Sequence, residues 1–108
     1  MAHRENQSCI EACVECAQTC EHCSSQDIVE NRAACAKLCM DCADICWTAA
    51  GYMSRGSQFV ASLCGVCADI CQACAAECAK HKNEHCQSCA AACRRCAEEC
   101  RKVAKVAH

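Results

Sequence analysis

Cysteine occupies nineteen of 108 positions, and within four segments the cysteine spacing alternates without exception between three and four residues. The segments are Cys9, Cys13, Cys16, Cys20, Cys23; then Cys35, Cys39, Cys42, Cys46; then Cys64, Cys67, Cys71, Cys74, Cys78; and last Cys86, Cys89, Cys93, Cys96, Cys100. A three–four alternation keeps to one stripe of one α-helix, the stripe that normally carries Leu, Ile and Val. Four such stripes predict four amphipathic helices whose buried seam is made of thiols.

The stripes place helices over roughly residues 6–25, 28–53, 57–81 and 84–106. Ser8 with Glu11, and Asp27 with Glu30, have capping-box spacing. Ser24, Ser25 and Gln26 read as a short connector, Gly51 to Gly56 as a turn with Ser57 as the next N-cap, and Asn83 as the last N-cap. Connections this short make neighbours antiparallel, which predicts an all-α, up-down-up-down four-helix bundle with a cysteine-lined core, a single domain over 1–108.

The stripe also continues past the cysteines, to Ile28 and Met53 in the second helix, Val60 in the third and Val103 in the fourth. Antiparallel topology then gathers Met53, Val60 and Val103 near Phe59 at one end. His22, His81 and His85 gather around Cys20, Cys23, Cys78 and Cys86 at the other. One end reads as an apolar plug, the other as a ligand-bearing mouth. Ile10, Val14, Leu38, Ile45, Leu63, Val66 and Ile70 lie beside the stripes as helix–helix contacts, and Trp47 reads as a packing residue.

Composition narrows the chemistry. Large core-formers are scarce, with two Leu, four Ile and one each of Phe, Trp and Tyr, so an ordinary apolar core is thin. Cysteine-rich chains are often secreted disulfide scaffolds. Against that stand an odd cysteine count, no proline, three glycines, and a polar start from Met1 to Ser8 unlike a signal peptide. These features point to the cytoplasm, where thiols bind metal or do redox work. No apolar run approaches membrane-spanning length, and a net charge of −2 with interspersed signs gives no reason to expect nucleic acid or membrane as partner.

Thiolate-only sites favour soft ions. Charge chooses among them. Each Cu(I) bound by a thiol replaces a proton by one monovalent cation and leaves the bore neutral. Zinc held by four thiolates leaves two negative charges, with no Lys or Arg on the stripe to offset them. Successive sulfurs suit two- or three-coordinate Cu(I), with a capacity on the order of one ion per cysteine if sulfurs are shared. The column of sulfurs, 14 residues from Cys9 to Cys23, is about 21 Å long. His81, three residues after Cys78, and His85, beside Cys86, are candidate ligands for the outermost metal; Met53 is a candidate for a terminal copper and Met40 is not. Alternatives are a zinc or cadmium thiolate buffer and a redox-active or disulfide-bearing helical protein. No cysteine stands apart with a dedicated base, so no enzyme is expected.

The four stripes, the polar start and the histidines near one end resemble the cytosolic four-helix-bundle copper storage proteins of bacteria, over the whole chain. That resemblance implies a homotetramer of bundles that stores many Cu(I) ions on inward-pointing cysteines. It also implies entry at the histidine end and delivery by a chaperone or small thiol. Some relatives are exported with signal sequences; this chain looks like the cytosolic branch. Only the second helix departs, with four stripe cysteines where the others have five.

Overall fold

The computed structural model describes residues 6–106, so the polar first residues lie largely outside it. Four helices, α1 (Gln7–Val29), α2 (Ala33–Ser54), α3 (Val60–Ala79) and α4 (Glu84–Val106), form an elongated bundle of 43 × 18 × 17 Å. α1 packs on α2 and α4, and α3 on the same two, so the order round the axis follows the chain. Each stripe turns inward: all nineteen cysteines are buried, as are the alanines Ala12, Ala17, Ala43, Ala68 and Ala90 at the helix contacts.

The helix boundaries differ from the sequence reading at the first connection. α1 runs through Ser24, Ser25 and Gln26 and stops at Val29. It stops because Asn31 adopts the left-handed conformation (φ 61°), with its N–H on the Ile28 carbonyl at 3.3 Å and the Arg32 N–H on the Asp27 carbonyl at 2.8 Å. This is the double hydrogen bond of a Schellman stop, with asparagine where glycine is commonest. Gly56 (φ 67°) ends α2 in the same way, its N–H on Met53 and the Ser57 N–H on Tyr52. Neither proposed capping box forms. Asn6 is the N-cap of α1 without a side-chain bond, and Asp27 sits in the last turn of α1 rather than ahead of α2. Ser57 accepts the Phe59 N–H one turn early, whereas Asn83 does precede α4.

Several outer assignments also change. Ile28 belongs to α1 and is 63% exposed, so it does not extend the α2 stripe. Trp47 is partly exposed, its indole N–H reaching Glu21 at 3.3 Å, so it lies on the flank of the bundle rather than in its packing. Val66 and Phe59 are exposed. Ile10, Val14, Leu38, Ile45, Ile70 and Val103 pack against the core as predicted. Contrary to the sequence expectation, α3 is long and apolar enough by composition to cross a membrane, with mean hydropathy 1.3. Its apolarity is largely its cysteines and alanines, and the cysteines face the bore.

Candidate metal centre

Nineteen free thiols line the axis, none joined in a disulfide. Along one helix, the four-residue steps bring sulfurs to 3.8–4.0 Å, as between Cys67 and Cys71 or Cys74 and Cys78. Between helices the sulfurs are closer: Cys9 to Cys100 3.5 Å, Cys20 to Cys89 3.5 Å, Cys42 to Cys71 3.5 Å. They also meet across the diagonal, Cys39 to Cys89, Cys42 to Cys93 and Cys46 to Cys96 each at 3.8 Å. The backbones of α2 and α4 do not touch, so the sulfurs alone close the centre.

Ligand-sized groups run the length of the column. Cys13, Cys67, Cys96 and Cys100 form one, Cys16, Cys46, Cys71 and Cys96 the next, Cys16, Cys20, Cys42 and Cys93 a third, and Cys23, Cys39, Cys78 and Cys89 one near the mouth, the sulfurs of each within 4.8 Å of one another. A further group, Cys20, Cys74, Cys89 and Cys93, joins the third to the one near the mouth, and with Cys96 and Cys16 shared among the first three the column is continuous. Two bonds of about 2.3 Å in a straight S–Cu–S unit span about 4.6 Å, and a trigonal site about 4.0 Å. Spacings of 3.5–4.0 Å therefore suit bent or trigonal sites as they stand, and linear bridging needs the sulfurs to draw apart.

Packing so many acidic groups together splits their proton affinities. Hydrogen bonding from Cys16 holds the Cys42 thiol far below its ordinary range, and Cys100 does the same to Cys96. Conversely, the bond to Cys16 pushes Cys20 up, and that to Cys13 pushes Cys100 up. A thiolate flanked by S–H donors is stabilised, but its neighbours then resist ionising. The thiols of the column cannot all ionise unless cations replace their protons.

The two ends are built from different residues. At the closed end the α2 stripe continues through Ala49 and Met53, both fully buried, with Val60 beside them. Ala49 stands where a fifth α2 cysteine would fall, and Met53 fills the axis below it.

The mouth holds a residue the sequence reading placed elsewhere. Asp27 is fully buried. Its Oδ2 accepts from Cys23 at 3.6 Å and Cys39 at 3.9 Å, and its Oδ1 from Cys86 at 3.7 Å. The signal was present: Cys16, Cys20, Cys23 and Asp27 continue the four–three–four rhythm, so Asp27 is the next stripe position of α1. Burial, then Asp27, pushes the Cys35 thiol up to about 12, and the same two causes raise Cys86.

Of the mouth histidines in the described residues, His85 makes the thiol contacts, Nδ1 lying 3.3 Å from Cys23 and 3.6 Å from Cys86. Its Nε2 is 2.8 Å from Glu30, which also pairs with Arg32. Arg32 reaches on to Asn83 at 2.7 Å, so the two loops at this end are laced together. His22 meets the His85 ring edge-on at a centroid distance of 6.3 Å. His81 lies beyond the end of α3, and its Nε2 pairs with Glu77 at 3.2 Å. A groove of about 450 Å³ lined by Thr19, His22, Gln26, Glu84, His85 and Ser88 leads from solvent to this end.

A helical bundle whose bore is a continuous column of free thiols, capped at one end and open to polar groups at the other, is a thiolate store for soft metal ions. Comparison with known proteins agrees. A family model described as copper storage protein matches residues 2–105. Copper storage protein 3 from Bacillus subtilis, in its apo form, is 47% identical with a TM-score of 0.86, covering 91% of this chain and 97% of its own. A cytosolic copper storage protein from Streptomyces lividans, carrying five coppers, is 34% identical with a TM-score of 0.89, covering 96% and 95%. A cysteine-rich protein of Bacillus subtilis, itself uncharacterized, is 45% identical over 77% of this chain and 81% of its own. The chain belongs to the copper storage protein family. Its role is storage of multiple Cu(I) ions, not catalysis.

Proposed function

We propose that this bundle is a cytosolic Cu(I) store in which all nineteen cysteines are ligands, and that copper enters at the His85 end. The observation that carries this reading is the unbroken run of overlapping four-sulfur groups from Cys100 to Cys23. Each incoming Cu(I) displaces a proton from a buried thiol, so the bore remains near neutral as it fills. The cytosolic setting is that of the Streptomyces relative.

His85 is the histidine we assign to the first copper, because its Nδ1 faces two thiols. His81, held by Glu77, serves at most as a transient contact. Met53 is packing at the closed end. The bundle assembles as a homotetramer and receives copper from a chaperone or small thiol. Exposed Met40, Trp47 and Val66 on the outer faces of α2 and α3 are apolar surface for such assembly.

Anaerobic titration of reduced protein with Cu(I), with total metal counted, tests the storage reading. Binding should continue to on the order of one ion per cysteine, and saturation at a few ions would overturn it. Sedimentation velocity tests the tetramer.

A further inference from the structure

We infer, on the basis of the assembly proposed above, that a second copy of this chain lies lengthwise along the α2–α3 side of the bundle, centred on Ile45, Val66 and Ile70. Offset from the stripe decides which neighbour each outer residue faces. Trp47 follows Cys46, and its indole reaches Glu21, which follows Cys20 on α1, at 3.3 Å. Arg101 follows Cys100 and bonds to Gln72, which follows Cys71 on α3. Positions one after a stripe cysteine thus face the α1–α2 and α3–α4 junctions, so those one before face the other two. Glu15 and Arg95, each one before a stripe cysteine, pair at 3.5 Å between α1 and α4.

The same offset on α2 and α3 sets Leu38 and Ile45 beside Leu63, Val66 and Ile70. Cys46 meets Cys67 at 3.7 Å and Cys71 at 3.6 Å, which places Ile45, Val66 and Ile70 at one level along the rod. Val66 is 50% exposed there, with Ile45, Leu63 and Ile70 half-buried around it.

Charge and area identify the occupant. A two-fold contact sets a surface against itself, so it suits a side with few charges. The α1–α4 side carries Glu15 with Arg95, the α3–α4 side Arg94, Glu98 and Arg101, and the α1–α2 side Glu21 over Trp47. On the α2–α3 side the positions one before a cysteine include two charges, Asp41 and Glu77, and Glu77 is engaged by Lys80 and His81 at the mouth. The bundle is a straight rod, and the partner that matches its side over the whole length is another such rod. One side measures 43 × 18 Å, about 770 Å². Each partner of a standard stable interface buries about 800 Å².

Sedimentation velocity over a concentration series, on the reduced, metal-free full chain, reads the pairing step. Val66→Glu and Val66→Lys should each weaken it about tenfold or more, because either charge is buried unpaired in an apolar contact. Met40→Glu, on the α1–α2 side, should change it by less than about twofold. Helicity by circular dichroism and Cu(I) capacity, both expected to match wild type, check that the variants fold. Without any variant, raising salt from about 0.1 to about 0.5 M should leave pairing nearly unchanged, and marked weakening would mean an interface of ion pairs instead. Wild-type pairing in both Val66 variants, or opposite responses to Glu and Lys, would overturn this surface and leave assembly standing. A wild-type chain that stays monomeric overturns the assembly itself.

Discussion

The two ends of the bundle share a backbone geometry and differ in what continues the stripe. Beyond the last sulfurs at one end come Ala49, Met53 and Val60, buried and without charge. At the other come Asp27 on the stripe and His85 beside it, with Glu30, Arg32 and Asn83 laced across the loops. A stripe that ends in hydrocarbon closes the bore by packing. One that ends in a carboxylate and an imidazole leaves it approachable by a cation. The entry proposed for copper thus rests on a handful of side chains at matched positions.

The sharpest way to break this contrast is to give the closed end the chemistry of the mouth. Met53→Asp buries an unpaired carboxylate among apolar groups, and the metal-free bundle should lose about 3–5 kcal/mol in urea unfolding. Met53→Ala, which leaves only a cavity, should cost about 2–4 kcal/mol by the same measurement. Equal, small losses would mean that Met53 does not plug the axis.

At the mouth, His85→Ala should slow the first phase of Cu(I) transfer from a chelated donor by about tenfold, a magnitude usual for loss of a group supporting a metal site. Met53→Leu should change that rate by less than twofold. A slowing in the closed-end variant comparable to that in His85→Ala would reverse the assigned entry.

A gentler test at the mouth is pH. The Cys35 thiol is raised from 9.0 to about 12 on folding, by burial first and by Asp27 next. A raised thiol favours the folded state while both forms are protonated. That contribution is complete below pH 9 and is lost as pH rises towards 12. The unloaded bundle should accordingly weaken over this alkaline window, and Asp27→Asn should soften the dependence by removing one of its causes.

The smallest effect is expected from Glu30→Gln. It keeps a hydrogen-bond acceptor for His85 but loses the charge shared with Arg32, and early copper loading should slow by about two- to threefold, read by stopped flow. No change would mean that the His85 ring is held by the bundle without Glu30.

Much of this was legible before any coordinates. The rhythm Cys9, Cys13, Cys16, Cys20, Cys23 admits one helical face, and four such faces can bury their thiols only against each other. Fold, inward sulfurs and the identity of both ends followed. The first connection did not. Ser24, Ser25 and Gln26 have loop-like composition, yet Cys23 and Asp27 both had a place in the core, and burial outweighed propensity. The true stop was Asn31, whose left-handed conformation is a preference that many asparagines never express.

His81 and His85 divided for a similar reason. Both are close in sequence to a stripe cysteine, but α3 ended at Ala79 and left His81 beside Glu77, whereas α4 began at Glu84 and carried His85 over Cys23.

Periodicity is a local property, and it determined by itself that this chain is four rods with sulfur on one face. Which atoms meet across the axis is not local. The meeting of Asp27 with Cys86 spans 59 residues, and that of His85 with Glu30 spans 55. Such pairs depend on where each helix stops and how far neighbours slide, and only the packed bundle decides that.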